Sequence, residues 1–179
     1  MRRSLISTLV FALGMLFVTT LSAGGHGQQL LPFHGNFAGP VLGFNMDPEA
    51  ITVRCGNAPA GKVAWAIASF EGWGTATHLG RSYIYAEHCS YRPIDGAPDG
   101  TYGQGEITAT AANGDVLLVR YDNGISDPQG NFMDEITFMD GGTGRFSIAS
   151  GYGVEMGSVN FGDFTFAIEV YGVISYKQQ

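Results

Sequence analysis

From Leu31 onward no stretch sustains the 3.6-residue apolar period of an amphipathic helix, while Gly, Pro, Asn and Asp punctuate the chain roughly every 8 to 15 residues. The pattern predicts strands at Ile51–Cys55, Val63–Phe70, Ser82–Glu87, Gly105–Ala111, Val116–Tyr121, Asn131–Phe138, Arg145–Val154 and Phe164–Tyr176. In the last of these, Phe164, Phe166, Ile168 and Val170 fall on one face and Thr165, Ala167, Glu169 and Tyr171 on the other, so one face is buried. Ala112-Asn113-Gly114-Asp115 predicts a tight hairpin, since Asn-Gly accepts the two positive φ angles of a type I′ turn. Asp140-Gly141-Gly142-Thr143-Gly144 predicts a second reversal, between Glu135–Phe138 and Arg145–Ala149. Residues 92–104 and Asp122–Gln129 read as long surface loops.

About eight such strands in one chain suit a single closed antiparallel β-barrel, which leaves no unpaired edge to template aggregation. A two-sheet sandwich is the alternative all-β solution. Glycines inside and beside strands, as in Gly72-Trp73-Gly74 and Gly151-Tyr152-Gly153, supply the corners and bulges that a barrel needs. No internal repeat or linker divides the chain.

The N-terminal segment departs from this pattern. Arg2 and Arg3 precede an apolar run from Leu5 to Leu21, and the small residues Ser22, Ala23 and Gly24 follow. This arrangement reads as a signal peptide over residues 1–23, leaving 24–179 as one exported domain, periplasmic or secreted, with no stable membrane span. The whole chain carries 9 Lys+Arg against 16 Asp+Glu, a net −7, and cleavage after Ala23 removes two of the positive charges. An acidic chain with no basic cluster argues against nucleic acid as a partner. Two cysteines in an exported chain, Cys55 and Cys89, predict one disulfide. A nucleophilic pairing of Cys89 with His88 is disfavoured, because neighbouring strand residues point to opposite faces.

Signatures of common chemistry are missing. The sequence holds no G-x-S-x-G elbow, no H-E-x-x-H and no G-x-x-x-x-G-K-[ST]. Its histidines, His26, His34, His78 and His88, form no recognised metal pattern, and Asp122, Asn123, Asp127 and Asp134 miss the spacing of a calcium loop. No metal or other cofactor is expected. His78 is assigned a structural role, hydrogen-bonding across a turn or strand pair. Asp134 and Glu135 are adjacent on one strand, so one faces inward and the other outward, and they do not form a facing dyad. A lumenal Glu135 or Glu169 would need a partner such as Arg120 or Arg145, or a raised pKa. Trp65, Trp73, Tyr83, Tyr85, Phe138 and Phe146 supply aromatic area for a core or a ligand cavity.

Gly141-Gly142-Thr143-Gly144-Arg145-Phe146, followed by Ala149, Gly151 and Tyr152, resembles the G-G-T-G-x-F-x-x-A-x-G-Y segment of plant dirigent proteins, which share an eight-stranded barrel with allene oxide cyclases. Ala76-Thr77-His78-Leu79-Gly80-Arg81 and the closing Gly172-Val173-Ile174-Ser175-Tyr176 extend the likeness to a group of exported bacterial proteins of unassigned function. In dirigent proteins an aspartate follows the Phe-His pair near the first strand; here Gly35 follows Phe33-His34. The resemblance implies a barrel, often a homo-oligomer, whose lumen holds a small hydrophobic or aromatic molecule. The candidate ligand-binding residues are Trp65, Trp73, His78, Arg81, Tyr83, Tyr85, Glu135 and Arg145. A dirigent- or cyclase-like enzyme steering cyclisation or isomerisation is the first alternative, and it predicts an inward carboxylate or histidine with a shifted pKa. A small outer-membrane barrel is the second. It is ranked lower because several strand candidates fall short of the roughly 9–11 residues a tilted spanning strand needs.

Overall fold

The structure, a computed structural model, describes residues 29–177; the leader expected at 1–23 and His26 lie outside the described residues. Within them the chain forms β1 (Leu31–Asn45), α1 (Pro48–Arg54), β2 (Lys62–Ala76), β3 (Gly80–Pro93), β4 (Thr101–Ala111), β5 (Val116–Ser126), β6 (Asn131–Met139), β7 (Ser150–Asn160) and β8 (Thr165–Ser175). Each strand pairs antiparallel with the next, and β8 returns to β1 in a register running from Leu31 opposite Ile174 to Pro40 opposite Thr165. The eight-stranded barrel is therefore closed, and the sandwich alternative is overturned.

Alternation along the strands fills the lumen. Phe166, Ile168 and Val170 of β8 are buried while Thr165, Ala167, Glu169 and Tyr171 face out, as expected. Phe164 is the exception: half-exposed with φ 54°, it belongs to the β7–β8 turn. Leu117 and Val119 of β5 and Ile136 and Phe138 of β6 continue the core, whereas Glu106, Arg120 and Glu135 sit on the outer wall.

Several expectations need correction. Ile51–Cys55 lies in α1 and its cap rather than in a strand: the Asp47 side chain accepts a hydrogen bond from the Glu49 amide at 3.0 Å and Pro48 opens the first turn, so the start signal outweighs the β-branched Ile51, Thr52 and Val53. The first strand, β1, is absent from the expected set because Gly35, Gly39, Pro40 and Gly43 interrupt its pattern. At Gly39 close approach demands glycine, since a Cβ would fall 2.0 Å from the Glu71 carbonyl oxygen. The Asn113-Gly114 hairpin forms, but only Gly114 has positive φ, 87°, so it is not a type I′ turn. The loops expected at 92–104 and Asp122–Gln129 shrink to 94–100 and 127–130, because β3, β4 and β5 run on into them.

Arg145–Ala149 is not a strand either. It belongs to the β6–β7 connection, where a 3-10 turn at Gly144–Phe146 inserts the fully buried Phe146 beneath the barrel. Thr143 fastens this connection to β5: its amide donates to the Val116 carbonyl at 2.9 Å and its hydroxyl accepts from the Val116 amide at 2.8 Å. Strand lengths of 9 to 15 residues also overturn the argument that the strands are too short to cross a bilayer.

The two ends of the barrel differ. The 77–79, 112–115 and 140–149 connections gather at one end, where Leu79, Phe146 and Ala149 are buried. The 46–61, 94–100, 127–130 and 161–164 connections surround the other end, which is open.

Candidate functional site

A cavity of about 680 Å³ opens at that second end, with Phe44, Trp65, Pro98, Asp127 and Phe161 at its mouth and Phe70, Ile84, Ile107, Phe132, Phe166 and Ile168 along its walls. Below it the lumen closes on Phe33, Leu79, Val119, Ile136 and Phe138, where only about 20 Å³ remains. Half of the barrel is thus a packed core and half a cup.

Among the polar side chains that line the cup, His88 from β3, Tyr102 from β4, Tyr121 from β5, Asp134 from β6 and Glu155 from β7 form one cluster. Asp134 and Glu155 are register partners on adjacent strands, so both point inward side by side. Both are buried, with 4% and 5% of their surface exposed. The Tyr102 hydroxyl donates to Asp134 Oδ2 at 2.7 Å. Tyr121 Oη and His88 Nδ1 share a hydrogen bond at 3.0 Å, and the imidazole stacks on the Tyr102 ring with centroids 4.5 Å apart. Among the described residues Asp134 Oδ1 and Glu155 Oε2 are buried with no hydrogen-bond partner.

Paired glycines aim the two tyrosines. Tyr102 lies opposite Gly124 and Tyr121 opposite Gly105, and a Cβ on either glycine would fall 2.0 Å or 2.3 Å from the facing ring. Between these pairs Gln104 and Asn123 take left-handed φ values of 50° and 59°, which bend both strands at the level of the cup. The bend is held where Asp122 Oδ1 accepts from the Gln104 amide at 2.6 Å.

Burial controls the protonation of this cluster. It raises Glu155 well above the ordinary carboxylate range, with the neighbouring Asp134 charge adding to the effect. It also pushes Asp134 up to about 7, against the opposing hydrogen bond from Tyr102. Tyr102 and Tyr121 are raised, chiefly by burial, and stay protonated donors. His88 is lowered to about 3 by burial and then by the Arg54 charge, so its imidazole is neutral at physiological pH.

Most of the residues singled out from sequence lie elsewhere. Trp65 lines the mouth, stacked on Phe44 with centroids 5.8 Å apart. Trp73, Arg81, Tyr83, Tyr85 and Glu135 are on the outer wall: the Arg81 guanidinium lies 5.7 Å from the Trp73 ring centroid, and Tyr83 donates to Glu71 at 2.7 Å. His78 and Arg145 hold the closed end. His78 Nε2 meets the Pro32 carbonyl at 3.0 Å, while the Arg145–Asp115 ion pair spans 3.4 Å. Cys55 and Cys89 are bonded.

Searched against family models, curated proteins and solved structures, the chain matches none. The reading of the site therefore rests on its own geometry. Asp134 was legible in part, since it shares the inward parity of Ile136 and Phe138. Glu155 carried no such signal, because its same-face neighbours Gly151, Gly153 and Gly157 give no apolar alternation.

The cluster predicts a pH profile for stability. Unfolded carboxyls ionise near their reference values of 3.8 and 4.5, but folded Asp134 and Glu155 keep their protons to higher pH, so their contribution to stability falls as pH rises. His88 acts in the opposite sense: below 6.5 the unfolded imidazole takes a proton that the folded one refuses until about 3. His88 offsets part of the carboxyl slope below pH 6.5, and above it the carboxyl slope stands alone. Wild-type stability should decline from pH 6.5 to pH 8 in urea unfolding, and Glu155→Gln should flatten that decline. A wild-type profile that rises over the interval would contradict the buried pair.

Proposed function

We propose that this protein is an exported β-barrel that holds a small hydrophobic or aromatic ligand in its cup. The observation that carries the reading is the cavity of about 680 Å³ standing above a filled floor. Its volume falls within the roughly 300–1,000 Å³ of small-molecule sites, and its walls are mainly aromatic and aliphatic. Export is supported by the basic-then-apolar N-terminal pattern and by the Cys55–Cys89 bond. Kinship with the dirigent and allene oxide cyclase barrels is part of the same proposal; the Gly141–Phe146 segment that carries the resemblance forms the plug of a closed eight-stranded barrel. The outer-membrane alternative is disfavoured because the charged Glu106, Arg120, Glu135 and Glu169 share the outward face with exposed Trp73, Met133, Tyr152 and Met156, where a membrane barrel carries an apolar band.

Native mass spectrometry of the protein recovered from its host without detergent should show a stoichiometric small molecule that denaturation releases. Ala86 lies on the cavity wall, and Ala86→Phe should project a ring into the cup, narrow it and weaken retention at least about ten-fold. Full occupancy in Ala86→Phe would place the ligand elsewhere.

One observation favours a second reading, an enzyme that steers cyclisation or isomerisation. The inward Asp134–Glu155 pair sets a protonated carboxyl beside one that titrates near neutrality, giving an acid and a base within one cup. On that reading Asp134→Asn and Glu155→Gln abolish turnover of the retained molecule while the barrel stays folded.

A further inference from the structure

The orphaned oxygens of the cup specify more than an apolar ligand. Asp134 and Glu155 line the cavity, while Asp134 Oδ1 and Glu155 Oε2 are sealed from its open space and have no partner among the described residues, and an unpaired buried acceptor is costly. Among the described residues no Lys or Arg side chain lines the cup. Arg54, whose charge reaches His88, is engaged outside the lumen with the Gln104 carbonyl at 2.5 Å and Glu106 at 3.9 Å. The carboxyl pair therefore has no counter-charge of its own.

From this arrangement we infer that the cup recognises a protonated primary amine carried on an aromatic or aliphatic body, with the ammonium seated between Asp134 and Glu155. The inference rests on the ligand-binding reading above. An ammonium brings three N–H donors and no acceptor, which suits two carboxyls whose unpartnered oxygens a side-chain rotation turns toward the cup, and leaves a third bond for a further acceptor. The rings of Tyr102, Phe132 and Phe70 around the cup add faces against which a cation is favoured over a neutral head group. A ligand carboxylate would instead bring a third acid into the same desolvated space. An inorganic cation fits less well, because a hard divalent ion takes six or more oxygens, and among the described residues no group of three or more His, Cys, Asp or Glu is placed to hold a metal. The mouth carries Asp127, held in its ionised form by hydrogen bonds from Asn131 and neighbouring amides, and the chain's net charge of −7 steers cations inward.

Isothermal titration of the mature protein with phenylalkylamines of two to six methylenes, against the matching phenylalkanols and phenylalkanoates, tests this at neutral pH. The best amine should bind at least ten-fold tighter than its alcohol, and the acid should bind weakest. In Asp134→Asn/Glu155→Gln the amine's advantage should vanish while the alcohol still binds. An alcohol that equals or exceeds its amine in the wild type overturns the cationic head group and leaves the ligand-binding reading intact. An amine advantage that survives the double substitution places the cation elsewhere and overturns the assignment. If no member of any series binds, the ligand-binding reading fails and this inference fails with it.

Discussion

Replacing the bridge with Cys55→Ala/Cys89→Ala is expected to lower the unfolding free energy by about 4 kcal/mol, the chain-entropy value for a loop closed over the observed separation of 34 residues. Alanine is the informative substitute because both sulfurs are buried, and a serine hydroxyl there would add an unsatisfied group. The loss should also have a location. The seven-residue α1 has no fully buried residue and is too short to persist alone, so it is held by the bond at Cys55 and by contacts of Ala50 and Ile51 with the small cluster of Ile67, Cys89 and Tyr91. Unpinning α1 should therefore lower the urea midpoint and expose the Ile67, Cys89 and Tyr91 cluster that it covers. Oxidised wild type and the double variant unfolding at the same urea concentration would show that the bridge contributes nothing.

Phe146→Ala should cost a comparable amount, roughly 3–5 kcal/mol, through lost burial and the cavity left behind. The ring is completely buried, lies 5.4 Å from Tyr176 by centroid and carries the Arg145 guanidinium 5.3 Å from its face. It sits on a backbone that cannot easily follow a shrinking side chain. Gly144 has φ 56°, a Cβ there would fall 1.9 Å from Asp115 Oδ1, and the Arg145–Asp115 pair ties the turn to the β4–β5 hairpin. Poor relaxation leaves the void open, which places the expected loss toward the upper end of the range. Because the packed layer of Phe33, Ile136 and Phe138 separates this plug from the cup, ligand affinity should change much less than stability. Phe146→Leu should lose less than half as much. A loss below about 1 kcal/mol for Phe146→Ala would mean that the closed end repacks freely, against the constraint assigned to the turn.

The sequence by itself determined the all-β class, the closed barrel as the better of two architectures, the one-sided burial of β8 and the pairing of the cysteines. Those features follow from local rules: period-two alternation, turn residues and an even count of cysteines. It misread Ile51–Cys55, where capping outweighed β-branching, and Arg145–Ala149, where an apolar stretch plugs the barrel end instead of joining the sheet. Only the tertiary structure decided the site. Trp73, Tyr83 and Tyr85 were conspicuous as aromatics, but strand parity turns them outward, whereas His88, Tyr102, Tyr121, Asp134 and Glu155 come from five consecutive strands and meet only when the sheet curls. The convergence depends on closure and on the bends at Gln104 and Asn123, which set the tyrosine rings over glycines of the neighbouring strand. Neither is a property of any single segment. Alternation tells which face a residue takes, but how far along the barrel axis it lies, and so whether it meets packed core or open cup, is fixed by the register between strands.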